Sequence, residues 1–563
     1  VNVSVTVVMP LSRVKMVLAV VAVAFALLAN PFCSPDLALA QSQPETPRGD
    51  AGSSTPGALS GSRATKKAAG TAMLRRPAPD PSRFVVRVGY VIPSDRRPQR
   101  GYEEAFEFLM SEVRRFYGVQ LDRHGLGPWT FRLETEPTSE RTAQSSRAHR
   151  GQGNGSRKLR IHVVLSDLTV EEMVGSGERG YKHNEYFDNV VAAARRGGLT
   201  PWSEGEVWLL VAETHRQREN GSIEHETAQG AGALNCGVAV LDGSVLVFAD
   251  PRCLNDHQPY DGRVLEGLGE VALRSQVSFP WYEGRDVSSL SAAAIGAAAH
   301  ELGHCFLLNH QYIHDDNFNG TLMGNGFRGW RGYAFPQRFP GEDARLDRGS
   351  ALLLELNRFF RPLLTVSDTT PPVFEVQSSG RIDPVDGCVR IPFTASDAPG
   401  GSGLALALIE NGTGRDGVGN VDYIEFPERP MRASGSFVTS RYSVDEKGGW
   451  RIRFFDGQCN VSEQIVNITV NPTGNRSPMP FIWTETNLVV RGQKAWFDGS
   501  LSRDPEGNAL TFNWDFGDGS RGEGLRIDHL FEKSGVFEVS LTVTDQHGSL
   551  AQESVFVKVV DSL

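Results

Sequence analysis

His300, Glu301, His304 and His310 are the residues of this 563-residue chain whose types and spacing could do chemistry. Two histidines four apart on a helix put both imidazoles on one face, close enough to share one ion. Glu301 stands beside them, placed to take a proton from a metal-activated water. With only 13 His in the chain, chance is a poor explanation for an HExxH pair followed six residues later by a third His. The run over 286–311, Ala-rich and with Ser near its start, predicts the helix that must carry the first three residues. Cys305, one step past His304, is rotated about 100° from that face and reads as packing.

The pattern His300-Glu301-x-x-His304-x5-His310 resembles the metzincin zinc peptidases, over residues 290 to 335. The resemblance implies zinc held by His300, His304 and His310, Glu301 as general base, and a Met turn at Met323 within Thr321-Leu322-Met323-Gly324. The family turns its helix at a Gly after the second His, and here that position is Leu307. Leu does not take positive φ cheaply and Asn309 does so more readily, which points to a displaced turn. Asn325 stands where some members carry a Tyr, leaving Tyr312 and Tyr333 as candidate oxyanion-stabilising hydroxyls. Such enzymes lay the peptide along a strand edge; residues 238–248, read as a hairpin turning at Asp242-Gly243, are a candidate for it. Glu342 or Glu355 is the alternative third ligand. Residues 315–320 fit half of a calcium loop, with Gly326 where its bidentate Glu should be, so calcium is a second candidate cation.

The elements that position these residues belong to a chain several domains long. Its 40% hydrophobic and 22% charged residues exclude wholesale disorder and a multi-span membrane protein. A net charge of -10 offers no basic field for nucleic acid, and the Arg-rich stretch over 141–160 reads as a solvated loop. Arg13 and Lys15, the short apolar run 16–29 and Ala38-Leu39-Ala40 read as a secretory signal over 1–40, placing the protein outside the cell or on its surface. Residues 41–82, rich in Pro, Gly, Ser and Ala, are a linker or propeptide.

Residues 83–367 alternate strand and helix patterns and read as an α+β (α/β-like) zincin catalytic domain. Past Pro371-Pro372 two all-β sandwich modules follow. The first, 371–472, resembles the immunoglobulin-like sandwiches of secreted bacterial proteins. The second, 476–561, resembles a PKD domain through Asn513-Trp514-Asp515-Phe516-Gly517-Asp518-Gly519 and the strand pattern over 535–545. Both read as units separable from catalysis that bind cell-surface or matrix polymers. Of five Cys past residue 40, Cys236 with Cys253 and Cys388 with Cys459 are the candidate disulfides, leaving Cys305 free. The expected function is a secreted zinc-dependent endopeptidase acting on protein or peptide substrates. The alternative is a surface binding or adhesion protein whose zinc site is structural, closed by His314 or Asp316, or inactive; an intact Glu301 argues for the enzyme.

Overall fold

The computed structural model describes residues 83–562, apart from 138–156, 176–182, 218–222, 225–227, 256–286, 312–317, 362–366, 378, 383–386, 412–419, 441–448, 468, 471–473 and 486. The expected signal (1–40), the segment 41–82, Tyr312, His314 and Asp315–Asn317 lie outside the described residues. Among the described residues no helix is long and apolar enough to cross a membrane.

The first region is a five-stranded sheet between helices. Its strands are β1 (Val85–Ile92), β2 (Ile161–Leu165), β3 (Glu206–Ala212), β4 (Gln229–Ala233) and β5 (Cys236–Asp242), in the order β2-β1-β3-β5-β4. All neighbours are parallel except β4, which pairs antiparallel with β5 and forms one edge. The inner strands are apolar along most of their length because both of their faces are covered. Val88, Tyr90, Leu209, Val211, Ala239 and Leu241 face a core shared with helices α1 (Tyr102–Arg123) and α3 (Val287–Cys305). Their alternates Val91, Trp208, Leu210, Val238 and Val240 face Phe187, Val190 and Ala194 of α2 (His183–Arg196).

The hairpin expected at Asp242-Gly243 does not form. Residues 244–248 are helical, because the Asp242 side chain accepts the Ser244 N–H and turns the chain out of the sheet. The partner of β5 is instead β4, joined by the tight turn at Leu234-Asn235, where Asn235 takes φ 70°. The edge strand on this side of the sheet is therefore β4 and not the segment around Val238.

The second region, after residue 367, is a sandwich. One sheet contains β6 (Val373–Val376), β7 (Val389–Ser396) and β10 (Arg432–Thr439); the other has β8 (Leu404–Asn411), β9 (Asn420–Glu425), β11 (Trp450–Asp456) and β12 (Val461–Val466) in the order β9-β8-β11-β12. Alternate residues of β8 split between two cores. Leu404, Ala407 and Ile409 fill the sandwich, while Leu406 and Leu408, with Phe455, join the core of the first region beside α4 (Arg348–Leu356). That shared core contradicts the expected independence of this module.

The third region is a second sandwich around Trp514, Phe516, Leu541 and Val557. It too is tied to the first: Arg123 donates to Asn487 at 2.6 Å in buried surroundings, and Lys558 pairs with Asp122 at 3.0 Å.

Among the described residues no disulfide joins Cys236 to Cys253 or Cys388 to Cys459, unlike the expected pairings. Cys236 begins β5 whereas Cys253 lies in the second of two short helices that follow the far end of that strand. Cys459 packs into the core of the first region, whereas Cys388 approaches Leu550 of the third.

Candidate metal centre

Helix α3 supplies His300, Glu301 and His304 at the predicted spacing, and its small residues let it lie almost on its neighbours' backbones. A side chain at Gly230 of β4 would overlap the Glu301 carbonyl oxygen, so the edge strand runs directly against the turn that bears the glutamate. The opposite side of the helix rests on Met323, which is fully buried.

The helix ends as a Schellman motif. Leu308 N–H donates to Gly303 O and Leu307 N–H to His304 O, each at 3.0 Å, with Leu307 at φ 72°. The turn is thus at Leu307 and is not displaced to Asn309. The left-handed cost to a Leu, roughly 1 to 2 kcal/mol, is met by the bonds that the turn makes.

This turn brings His310 back to the helix face. His304 Nε2 lies 3.2 Å from His300 Nε2 and 3.2 Å from His310 Nε2. The tautomers of the first two follow from their other nitrogens: His300 Nδ1 donates to Leu322 O at 2.7 Å, and His304 Nδ1 to Leu308 O at 2.9 Å. Both neutral rings therefore turn bare Nε2 lone pairs toward each other, a repulsive arrangement unless a cation sits among them. An imidazolium does not serve, because burial pushes His300 down to about 3 and His304 well below its ordinary value. A tetrahedral ion with nitrogen bonds of about 2.0 to 2.1 Å requires Nε2 separations of roughly 3.3 Å, so the three rings can hold zinc. His300 is buried, His304 half-buried and His310 exposed, so the cluster opens to solvent on one side.

The buried Glu301 carboxyl is pushed up to about 8 by desolvation, although the Gly230 N–H it accepts pulls the other way. A dication nearby favours its ionised form.

Other expectations fare differently. Glu342 is paired with Arg331 at 2.8 Å, and Glu355 with Arg361, so neither is the third member of the cluster. Tyr333 packs in the core against Phe116 and Trp330 and is not an oxyanion donor at the cluster. Cys305 is buried against Gly237, as packing.

The sequence reading missed Glu410 and Arg453, which reach the ligand turn from the second region. The available signal was a lone carboxylate ending the apolar run of β8, and an Arg between Ile452 and Phe454 in β11. Inside an apolar strand each needs a partner.

Residues 109–331 match the Putative peptidase family. That peptidase-family region contains α3, all three histidines and Met323. Residues 475–560 match the PKD domain. The chain is 37% identical over 87 residues to collagenase ColA of Clostridium perfringens, which is 16% of this chain and 8% of the collagenase. It is 38% identical over 60 residues to a microbial collagenase of Vibrio alginolyticus, 11% of this chain and 7% of that protein. Among solved structures, OgpA of Akkermansia muciniphila aligns with 15% identity and a TM-score of 0.40, over 68% of this chain and 92% of the other.

Proposed function

We propose that the protein is a secreted zinc-dependent endopeptidase, hydrolysing protein or peptide substrates at the His300-Glu301-His304-His310 site. One observation carries the reading: three Nε2 atoms converge while carbonyls hold the Nδ1 atoms of two of the rings. The match of residues 109–331 to a peptidase family supports it. His300, His304 and His310 would hold zinc, which would supply Lewis-acid polarisation of the scissile carbonyl. Glu301 takes the proton of the attacking water on a carboxylate oxygen and delivers a proton to the leaving amine. The Gly230 N–H orients that carboxylate, and burial raises its basicity. Met323 seats the histidine turns from beneath as the Met turn. The outer edge of β4, beside Glu301, is where an extended substrate adds by main-chain pairing. The β-sandwich modules bring the enzyme to cell-surface or matrix polymers.

The test compares wild type with Glu301→Gln on a denatured protein substrate, zinc content being measured in both. The amide keeps shape and metal but cannot accept the proton, so cleavage falls by at least about 10³- to 10⁴-fold. Equal activity in the variant, or no bound zinc in the wild type, sinks the proposal.

A further inference from the structure

His310 sits on a three-residue bridge whose anchors come from two different regions. On its far side Gln311 N–H donates to Met323 O at 3.1 Å, within the peptidase-family region. On its near side the partners lie in the immunoglobulin-like sandwich. Arg453 Nη1 donates to Leu307 O at 2.8 Å, and its Nη2 pairs with Glu410. Glu410 in turn accepts from the Asn309 side-chain amide. Arg451 donates to the oxygen of that same amide at 2.9 Å and is itself paired with Glu463 at 2.6 Å. Both ends of Asn309 and the carbonyl of the strained Leu307 are thus held by three side chains of β8 and β11.

Arg453 and Glu410 are 2% and 4% exposed, so this ion pair is desolvated. A buried pair of this kind adds little net stability against an apolar replacement, yet it fixes geometry sharply, because every unused donor or acceptor is costly. The geometry it fixes is that of the turn between His304 and His310.

We propose that Arg453, Glu410 and Asn309 are positioning residues for the third metal ligand, so that the immunoglobulin-like module completes the zinc site. The proposal rests on the zinc reading above. The clamp sets the path of Leu307–Asn309, the path sets where His310 Nε2 arrives, and ligand convergence sets zinc affinity. Outer-shell partners of metal ligands typically contribute about 10- to 100-fold in affinity.

The experiment uses the full chain and measures zinc affinity by chelator competition, with the visible spectrum of the cobalt-substituted protein as a report on coordination. Asn309→Ala, Glu410→Gln and their double variant are compared with wild type, each checked for fold by circular dichroism. Each single variant weakens zinc by about 10- to 100-fold and alters the cobalt spectrum; the double variant loses no more than the worse single, because both break one clamp. Folded single variants with wild-type affinity and spectrum overturn the proposal, and so do additive losses. If Glu410→Gln fails to fold, Asn309→Ala decides alone, since it leaves the Arg453–Glu410 pair intact. His304→Ala separates the two readings: a wild type that holds zinc no better than this variant refutes the metal site itself.

Discussion

The Met323 sulfur lies so close to Gly303 that a methyl group on that residue would come within 2.5 Å of it. The helix that carries His300 and His304 therefore rests on a thioether with no room between them. An added methyl at Gly303 meets a side chain that can shift, whereas one at Gly230 meets the backbone of Glu301. Gly303→Ala should accordingly cost about 1 to 3 kcal/mol as overpacking, and Gly230→Ala more than that. Denaturant unfolding of the two variants checks the order; a reversed order refutes this account of how α3 is seated.

Leu307 in a left-handed turn gives a second prediction. Gly relieves the strain but loses Leu packing and adds unfolded-state freedom, terms of about 1 kcal/mol each way, so Leu307→Gly should lie within about 1 kcal/mol of wild type. A β-branched residue has no such escape, and Leu307→Val should lose about 2 kcal/mol and also weaken zinc. Equal stability of the Val and Gly variants would show that the turn is not under backbone strain.

His124 couples the first region to the third. Its Nε2 donates to Leu346 O at 2.9 Å, and its ring lies 5.5 Å from that of Phe556. Burial, with Arg348 and Arg123 nearby, pushes it down to about 4. A folded value below the unfolded one means that the stability is fully present above pH ~6.5 and is lost as pH falls toward 4. The loss from this one group is on the order of 3 kcal/mol. His124→Gln should flatten the stability curve between pH 7 and 4 relative to wild type, and parallel curves would refute the assignment.

Truncation is the fourth prediction. Removing everything past residue 367 exposes the core face that receives Leu406, Leu408 and Phe455. At about 1.5 to 3 kcal/mol per buried side chain the loss is about 5 to 9 kcal/mol, comparable with the whole stability of a domain. Such a chain should fail to unfold cooperatively and should not retain zinc; a truncated chain with native circular dichroism and zinc content would restore the two modules to independence.

Local signals were legible in the sequence and nonlocal ones were not. The 3.6-residue period of α3 and the fixed offset of His310 are properties of neighbouring residues, so the convergence of three imidazoles could be read directly. The Asp242-Gly243 hairpin failed because the same two residues serve equally as a helix entrance, and only the pairing of β5 with β4 decides between them. Leu307 was judged by its intrinsic preference, which is correct in isolation. The Schellman bonds to Gly303 and His304 offset that preference, and an arginine 146 residues away in the chain, beyond the reach of any local pattern, adds a further hold on the Leu307 carbonyl.

That separation has a consequence for biosynthesis. A chain that emerges N-terminus first, at about 5 to 20 residues per second, delivers Arg453 roughly 8 to 30 s after His300. During that interval the nascent protein carries Glu301 and the three histidines without the side chains that hold Leu307 and Asn309. On the reading proposed above, full metal affinity would then wait on the C-terminal half, and a chain that stalls or is clipped before β11 would lack the clamp on His310.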